Sequence, residues 1–409
     1  MPRGTLRIGF FSPSWPPGHG SPNGIVTAVQ NQIDALQTRG HQGCVITPKL
    51  HLESDDACVT AVTSETLLSP SWFRMRSQRF LPNRSEAFRL HARRVAKAVS
   101  KGGRLDAFEM EESFGIVRHV QSLVHMPVVC RLHGPYFIGL RHLDRAPNEA
   151  EADRAEAELQ AFRSMTAVTA PSGSVLAEMI AKADYAPPLS RVIPNPIAVT
   201  PNPVDWAGDA ARRVLFVGRL TYPKGADVLA KAIPEVLKSH PTVQFTIAGP
   251  DDGMVIDGER SGTFRSILNE CVSLDDRRRV TILGQQTPAE IAALRQRHGI
   301  TIIASRHENF PYALIEAMGA GSAVVTSAYG GGEQVVDEGT DGFIYPPTDP
   351  QALAAAVSSL LEAPSVQERM GNAGRSKVQE KFSTDAVGSK LEEFYREVIE
   401  KASQTESVR

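Results

Sequence analysis

The chain has 409 residues, of which 42% are hydrophobic and 22% charged, and its formal net charge is −2. This length predicts two domains of about 200 residues each, and the composition is typical of a globular protein. The near-neutral charge argues against general affinity for nucleic acid, which needs a basic field. We therefore expect no nucleic-acid partner.

Cysteine content and the N-terminus point to a cytoplasmic protein. The four cysteines form no CxxC pair, so reduced thiols are expected, not disulfides or a zinc site. The apolar run near the N-terminus is too short for a signal peptide and leads straight into a strand. Nothing approaches the roughly 18 uncharged apolar residues of a membrane span.

In the first half of the chain, strand-like segments alternate with helical ones, which predicts a parallel α/β architecture. A helix is predicted from Ile25 to Thr38, and the loop before it contains Gly18, Gly20 and Gly24. These glycines permit close backbone approach to a ligand, although their spacing is not GxGxxG. The predicted strands are TLRIGFFS, GCVITP, AFEME, PVVCRLH, AVTAPS and RVIPN.

Three candidate side chains stand at strand ends, where open α/β sheets bind their ligands. His133 ends the strand PVVCRLH, and a histidine there either hydrogen-bonds a sugar hydroxyl, shuttles a proton or has a structural role. Glu109 and Glu111 end the strand AFEME, and alternation places them on one face. Either glutamate is a candidate for orienting an acceptor.

Two helical segments of the first half are strongly charged. Trp72 to Arg104 contains ten Lys or Arg residues and a single acid, Glu86. This stretch is interpreted either as a contact for an anionic membrane or a phosphate-bearing acceptor, or as a solvated helix with an outward basic face. The acidic segment from Asn148 to Ala161 predicts a surface helix without chemistry.

A proline-rich passage from Pro194 to Trp206 predicts an interdomain linker. The strand and helix alternation then restarts, which predicts two similarly built halves; no short-period repeat indicates a solenoid. The second set of predicted strands is RRVLFVG, VQFTIAG, RVTILG, ITIIAS, AVVTS and GFIYP.

The segment SRHENFPYALIEAMGAG places two carboxylates around a helix start. Pro311 suits the first turn of a helix, so Glu308 is predicted in the strand-to-helix loop and Glu316 about five residues into the helix. A helix N-terminus attracts phosphate. One glutamate then reaches a sugar and the other a ribose, unless both are ordinary solvated side chains.

Arg219 and Lys224 follow the strand RRVLFVG and precede the next helix. Two fixed cations there neutralise a pyrophosphate and stabilise it as a leaving group without a metal. The alternative is a solvated surface loop.

These segments together resemble the retaining glycosyltransferases of family 4. The resemblance implies the GT-B fold, with two Rossmann-like parallel-sheet domains facing a central cleft. It further implies an acceptor-binding domain over residues 1–195, a sugar-donor domain over 196–383, and a C-terminal helix from 384 that crosses back to the first domain, with a tail to 409. The matching segments are NGI…ALQTRGH, LHG, PSGS, PNP, VGRLTYPKG and ENFPYALIEAMGAG followed by GGGEQVV.

The resemblance also implies roles for individual residues. Glu308 contacts the transferred sugar, Glu316 the ribose, and Arg219 with Lys224 the diphosphate, while His133 approaches the reacting carbon. These expectations make Glu308, His133, Arg219 and Lys224 the catalytic residues. The implied donor-binding residues are Gly24, Arg219, Lys224, Glu308, Asn309, Phe310, Pro311, Tyr312, Ala313, Leu314 and Glu316.

Two departures from the family pattern affect this transfer of roles. Phe310-Pro311 stands where members often have FG, which removes one backbone N–H near the phosphates. PNP replaces the commoner PNG plus an acid, which puts any role for Asn195 in doubt.

The expected activity is transfer of a sugar from a nucleoside-diphosphate sugar, UDP favoured and GDP next, to a hydroxyl of a glycan, a lipid-linked or a small-molecule acceptor. The acceptor is expected to attack the same face of the sugar that the diphosphate leaves, and no metal or cofactor is expected. The expected location is the cytoplasm, including peripheral contact with the inner face of the membrane. Three alternatives stay open. The first is a dehydrogenase, whose GxGxxG motif and acid after the second strand are missing from this sequence. The second is a UDP-sugar epimerase, which binds the same donor but needs no acceptor. The third is a non-catalytic sugar-nucleotide-binding protein, which would keep the base pocket and lose the charged site residues.

Overall fold

The computed structural model describes residues 4–17, 24–51, 58–62, 84–141, 146–256, 259–330 and 332–407. The chain divides into two compact units, one formed by Met1–Pro196 with Thr384–Arg409 and the other by Ile197–Ser383. Both are parallel α/β units, which confirms the predicted fold class. Gly18, Gly20 and the 72–83 part of the basic stretch lie outside the described residues.

The first unit is built on a sheet of seven parallel strands in the order β3-β2-β1-β4-β5-β6-β7. Its strands are β1 (Arg7–Phe11), β2 (Gln42–Thr47), β3 (Val59–Ala61), β4 (Ala107–Glu111), β5 (Val128–Arg131), β6 (Ala167–Ala170) and β7 (Leu189–Val192). Its helices are α1 (Gly24–Gln37), α2 (Arg84–Lys101), α3 (Val117–Gln121), α4 (Tyr136–Leu140), α5 (Glu149–Ser164), α6 (Gly173–Ala183) and, from the C-terminus, α14 (Thr384–Ser407).

Helices cover both faces of this sheet. On one face Phe108 and Met110 of β4 join a core that includes Phe162 of α5. On the other face Phe10 of β1 packs with Phe394 of α14. Because both faces of a parallel sheet are buried, its strands read as nearly continuous apolar runs, which is why the sequence pattern predicted them.

Helix α14 is fastened to the first sheet by polar contacts as well as apolar ones. Tyr395 Oη donates to Glu109 Oε2 at 2.8 Å, and Gln32 Nε2 of α1 donates to Glu109 Oε1 at 3.0 Å. Gly388 lies so close to α1 that a Cβ there would meet the Ala35 carbonyl oxygen at 2.4 Å. The C-terminal helix is therefore part of the core of this unit.

The second unit is built on six parallel strands in the order β12-β9-β8-β13-β14-β15, with a separate two-stranded hairpin, β10-β11. The strands are β8 (Arg213–Val217), β9 (Gln244–Ala248), β10 (Val255–Ile256), β11 (Glu259–Arg260), β12 (Val280–Gly284), β13 (Ile300–Ile303), β14 (Ala323–Ser327) and β15 (Gly342–Tyr345). The helices are α7 (Ala226–Ser239), α8 (Phe264–Cys271), α9 (Pro288–Gln296), α10 (Tyr312–Gly319), α11 (Gly332–Val335), α12 (Pro350–Glu362) and α13 (Pro364–Lys381).

Three details differ from the sequence-based expectations. The short strands β3, β10 and β11 have two or three residues each, too few to show an apolar period. Helix α5 is not only a surface element, because Glu158 on it is fully buried. The sulfurs of Cys44 and Cys58 lie 2.9 Å apart, a proximity that the spacing of the cysteines did not indicate.

From Ile197 onward, the proline-rich passage is packed along the second unit. Ile197 N donates to the Phe382 carbonyl at 2.9 Å, and Val204 N donates to the Ala320 carbonyl at 2.8 Å. Asn195 is buried and accepts a 2.7 Å hydrogen bond from the fully buried Arg131. In the described part of the chain, no helix combines the length and the apolar character that a bilayer span needs.

Candidate functional site

The connection between β8 and α7 carries Lys224 to the carboxyl end of the second sheet. Tyr222–Lys224 form a single 3-10 turn that ends at Gly225, whose φ is 69°. A Cβ at Gly225 would stand 2.0 Å from the Ala304 carbonyl oxygen. Only glycine accommodates both the left-handed φ and this close approach, so the turn lies directly against the end of β13.

Arg306, just after β13, holds this turn in place. Its guanidinium donates to both carboxylate oxygens of Asp227 on α7, at 2.7 and 2.8 Å, and to the Tyr222 carbonyl at 2.6 Å. It also stacks over the Tyr222 ring at 3.8 Å. The Arg306 and Asp227 side chains are only 15% and 11% exposed, so this bidentate pair is a fixed part of the unit.

Lys224 and Glu308 are brought together by that scaffold. Lys224 Nζ forms an ion pair and hydrogen bond with Glu308 Oε1, and Ser305 Oγ donates to the same oxygen at 2.8 Å. Ser327, at the end of β14, donates to the Ser305 carbonyl. The predicted sugar-binding carboxylate and one predicted phosphate-binding cation therefore form one cluster at the strand ends.

Helix α10 begins beside this cluster, as the sequence predicted. Its N-cap position is Pro311, and no side chain caps the helix; the N–H groups of Tyr312 and Leu314 donate to the carbonyls of Phe310 and Pro311 at 3.0 and 3.1 Å. Glu316 is the fifth residue of α10, and its carboxylate accepts a 2.6 Å hydrogen bond from Arg295 of α9. Arg295 and Glu316 both line a cavity of about 140 Å³.

The remaining predicted donor-binding positions divide by exposure. Phe310, Pro311 and Leu314 are buried, and the Leu314 side chain packs in a core cluster. Asn309 and Tyr312 are partly exposed, as is Ala313. Contact with a ligand from the buried positions is restricted to backbone groups.

Arg219 forms an ion pair with Asp252 at 3.7 Å, and the two side chains are 68% and 66% exposed. Among the described residues, no ion pair or hydrogen bond joins Arg219 to Glu308. The structure therefore leaves the predicted pairing of Arg219 with Lys224 around one diphosphate as a prediction.

In the first unit, two buried glutamates hold the loops that follow β4 and β5. Glu112 accepts hydrogen bonds from the backbone N–H groups of His133 at 3.0 Å and Gly134 at 2.8 Å. Glu158 accepts from the N–H groups of Phe114 at 3.1 Å and Tyr136 at 2.7 Å. Each carboxylate thereby accepts hydrogen bonds from buried loop N–H groups that would otherwise have no partner.

Arg154 supplies the cation of this region. It donates to Glu158 at 2.9 Å and stacks between the rings of Phe114 and Tyr136, at 4.1 and 4.0 Å. Burial, with the negative charge of Glu158, raises the pKa of Glu112 to about 7. Burial and the negative charge of Glu112 raise the pKa of Glu111 to about 8.

His133 is neutral across the physiological range. Burial and the positive charge of Arg131 lower the pKa of His133 to about 3. A proton shuttle needs a pKa near the working pH, so hydrogen bonding by the neutral imidazole is the role that this environment favours.

The two glutamates predicted for the acceptor have partners within the first unit. Glu109 is 3% exposed and hydrogen-bonded to Tyr395 and Gln32, so it fastens α14. Glu111 instead interacts electrostatically with Glu112 and Arg154, so it belongs to the buried charge cluster. Gly24 is the exposed first residue of α1, with open space where a Cβ would stand.

Comparison with known families matches both units. A family described as Glycosyltransferase Family 4 matches residues 22–200, and one described as Glycosyl transferases group 1 matches residues 207–377. The chain belongs to the family 4 glycosyltransferases. The resemblance drawn from its motifs is confirmed.

Among curated proteins, the family 4 chain is 31% identical over 193 residues to an uncharacterized glycosyltransferase of Methanocaldococcus jannaschii, a match that covers 47% of this chain and 46% of that protein. It is 31% identical over 185 residues to glycogen synthase of Mycobacterium tuberculosis, covering 44% and 42%. It is 28% identical over 186 residues to the alpha-D-kanosaminyltransferase of Streptomyces kanamyceticus, covering 45% of each. The chain matches somewhat less than half the length of these relatives.

Among solved structures, the family 4 chain resembles sucrose-phosphate synthase of Thermosynechococcus elongatus with a TM-score of 0.71 and 21% identity, covering 97% of this chain and 100% of that one. It resembles Anabaena HepE, solved in complex with UDP-glucose, with a TM-score of 0.66 and 17% identity, covering 98% and 100%. These likenesses establish the GT-B fold.

Several residues of the family 4 chain that organise its strand ends were missed by sequence reasoning. They are Asp227, Arg295 and Arg306 in the second unit and Glu112, Arg154 and Glu158 in the first. Glu112 directly follows the strand AFEME, and Arg154 and Glu158 lie in the segment that was predicted to be a surface helix. Within the described ranges, no three His, Cys, Asp or Glu side chains form a group that could hold a metal ion.

We predict that Arg306→Met destabilises the second unit by about 3 kcal/mol, because it leaves the carboxylate of Asp227 buried without its partner. Chemical denaturation monitored by circular dichroism measures the effect. The control is Arg219→Met, which removes an exposed, 3.7 Å pair and should change stability by less than about 1 kcal/mol. Equal effects from the two substitutions would contradict the assigned role of Arg306.

We predict that Glu111→Gln stabilises the first unit at pH 8 by about 1–3 kcal/mol and has little effect at pH 5. The pKa of Glu111 is raised to about 8 from its ordinary 4.5, so the favourable protonated state is fully present below about pH 4.5 and is lost as the pH rises through 8. Thermal unfolding at both pH values measures the difference. Glu149→Gln, at an exposed position, is the control and should show no such pH dependence.

Proposed function

We propose that this protein is a retaining glycosyltransferase that moves a sugar from a nucleoside-diphosphate sugar to a hydroxyl group. The acceptor hydroxyl belongs to a glycan, a lipid-linked or a small-molecule acceptor. UDP-sugars are the favoured donors and GDP-sugars the next. The proposal rests on family membership together with the charge arrangement at the carboxyl end of the second sheet.

The observation that carries the proposal is the cluster of Lys224, Glu308 and Ser305 beside the start of α10. It combines a cation and the positive end of a helix dipole, which suit a diphosphate, with a carboxylate, which suits sugar hydroxyls. Both bonds to Glu308 that are observed end on Oε1, so Oε2 is the oxygen we assign to a hydroxyl of the transferred sugar.

Glu316 is assigned to the ribose of the nucleotide. Its carboxylate is 38% exposed, and Arg295 holds it at 2.6 Å. A carboxylate accepts hydrogen bonds from the two hydroxyls of a ribose. With Glu308 before the helix and Glu316 one turn inside it, the sugar and ribose lie on either side of the diphosphate at the helix N-terminus.

Same-face transfer is the mechanism that these roles favour. The bond between the anomeric carbon and the phosphate oxygen breaks as the acceptor oxygen bonds to that carbon from the same side, and the acceptor proton passes to the departing phosphate oxygen. Lys224, Arg219 and the N-terminus of α10 stabilise the negative charge on the leaving diphosphate. Glu308 is placed as a hydroxyl partner, so no carboxylate needs to form a covalent intermediate.

His133 of the first unit is assigned to a substrate hydroxyl. Because its imidazole is neutral, it accepts or donates one hydrogen bond without adding charge. Glu112 fixes the backbone of His133 and Gly134 and acts as a positioning residue.

The preference for UDP draws on a structural neighbour. Anabaena HepE, which shares this fold, was solved in complex with UDP-glucose. Its identity to this chain is 17%, so the donor has to be measured directly.

We predict that Glu308→Gln lowers sugar transfer or donor hydrolysis at least 100-fold, because it removes the charge that Lys224 and a sugar hydroxyl share. The protein is incubated with UDP-, GDP- and ADP-sugars, and the released nucleotide is quantified by chromatography. Glu333→Gln, an exposed residue on α11, is the matched control and should retain full turnover. Unchanged turnover in Glu308→Gln would contradict the site.

The same incubation separates the alternatives. A transferase yields the nucleoside diphosphate, an epimerase yields an isomerised nucleotide sugar without free nucleotide, and a non-catalytic binding protein yields thermal stabilisation alone. The product therefore decides between the three classes.

We predict that EDTA leaves the activity within about twofold of its value without chelator, because Lys224, Arg219 and helix N–H groups carry the charge neutralisation in this proposal. Initial rates are compared with and without EDTA, and then after addition of magnesium or manganese. Loss of activity that either metal restores would assign the leaving-group role to a metal ion.

A further inference from the structure

Helix α2 presents a row of unpaired cations on its exposed face. Four basic residues recur at every fourth position, which places them on one side of the helix over about 18 Å. All four are exposed, and none forms a hydrogen bond or ion pair with any residue in the described part of the chain. These residues, called the basic ridge, are Arg89, Arg93, Lys97 and Lys101.

A cavity lies at the N-terminal end of the basic ridge. Its volume is about 170 Å³, and it is open to solvent between α2, α3 and α5. Its walls provide three basic side chains, Arg89, Arg118 and His119, and the rings of Phe88 and Phe114. None of the described residues that line it is acidic.

No acidic side chain among the described residues forms an ion pair with Arg89 or Arg118 in this cavity. Burial and the positive charges of Arg118 and Arg89 lower the pKa of His119, which shows that the three side chains share one local field. Arg118 donates to the neutral amide of Gln160 at 3.0 Å. Like charges this close are unfavourable unless an anion joins them, and the chain as a whole has a net charge of only −2.

We propose that this cavity binds a phosphate group, with Arg118 and Arg89 as its guanidinium ligands and the basic ridge as its electrostatic approach. Guanidinium groups bind phosphate oxygens in pairs of parallel hydrogen bonds. The tilted rings of Phe88 and Phe114, 5.8 Å apart, offer an apolar wall for the carbon part of the same ligand. The phosphate comes either from a small phosphorylated molecule or from a phospholipid headgroup.

Local backbone geometry supports a built cavity. Phe114 adopts a φ of 59°, which is unusual for a bulky residue. Gly115 follows with a φ of 66°, and a Cβ there would stand 2.2 Å from the Ala157 carbonyl oxygen. This tight turn against α5 orients the Phe114 ring into the wall, and the buried Glu158 accepts the Phe114 N–H.

The test measures binding without any nucleotide sugar, so its outcome is independent of the proposed transfer reaction. Glycerol 3-phosphate is titrated into the full chain by calorimetry, with chloride at matched ionic strength in the reference. Arg118→Gln is expected to weaken binding at least 10-fold, and Lys182→Gln, an exposed basic residue on α6, is expected to leave it unchanged. If Arg118→Gln proves unstable, Arg89→Gln on the exposed ridge serves as the second variant.

A vesicle arm distinguishes the two sources of phosphate. The same proteins are sedimented with two kinds of vesicle, one of phosphatidylcholine alone and one of phosphatidylcholine and phosphatidylglycerol in equal parts. If glycerol 3-phosphate binds and the binding depends on Arg118, the ligand is a soluble phosphorylated molecule. If glycerol 3-phosphate does not bind, but sedimentation with the vesicles depends on Arg118, the ligand is a lipid headgroup. The proposal is overturned if Arg118→Gln and Arg89→Gln bind both probes like the unmodified chain, or if Lys182→Gln is weakened equally.

A second readout excludes a merely structural effect of the substitutions. The His119 resonance, assigned through His119→Gln, is followed by proton NMR as the pH is varied. Bound phosphate between the two arginines should raise the pKa of His119. If the pKa of His119 stays the same when the site seen by calorimetry is saturated with phosphate, the phosphate binds elsewhere. That result would overturn the assignment.

Discussion

A guanidinium and a carboxylate, both mostly withdrawn from water, organise the carboxyl edge of the second sheet. Arg306 follows β13, whereas its partners Asp227 and Tyr222 belong to the connection after β8. One side chain thus joins two loops that the fold brings side by side. Such a pair cannot open without leaving an uncompensated charge in a poorly solvated place. Lys224 lies two residues from Tyr222 and Glu308 two residues from Arg306, so the distance between them follows from this pair.

In the first unit, buried carboxylates hold the loops that follow the strands. Loops that leave parallel strands and turn into a protein interior carry N–H groups without partners. Glu112 and Glu158 accept four of these N–H groups, and Arg154 offsets part of their charge. The arrangement fixes the backbone at His133, but it buries like charges together, and burial, with the repulsion between these charges, raises the pKa values of Glu111 and Glu112.

The sequence predicted what local pattern encodes. Continuous apolar runs marked the long parallel strands, and Pro311 with the residues after it marked the start of α10 and the positions of Glu308 and Glu316. Pairs that form between distant segments leave no such mark: Arg306 and Asp227 are 79 residues apart. Glu158 was misread because its helix is polar in composition, and composition does not show which charged side chain faces inward.

The second unit contains two kinds of ion pair with different roles. The Arg306 and Asp227 side chains are 15% and 11% exposed, whereas those of Lys224 and Glu308 are 35% and 20% exposed. Water competes more effectively for the second pair, so it is the weaker of the two. On the proposed function, an entering diphosphate, with more negative charge than one carboxylate, draws Lys224 away and frees Glu308 for the sugar. The fixed pair holds both loops during this exchange, which releases Oε1 of Glu308 in addition to the Oε2 already assigned to the sugar.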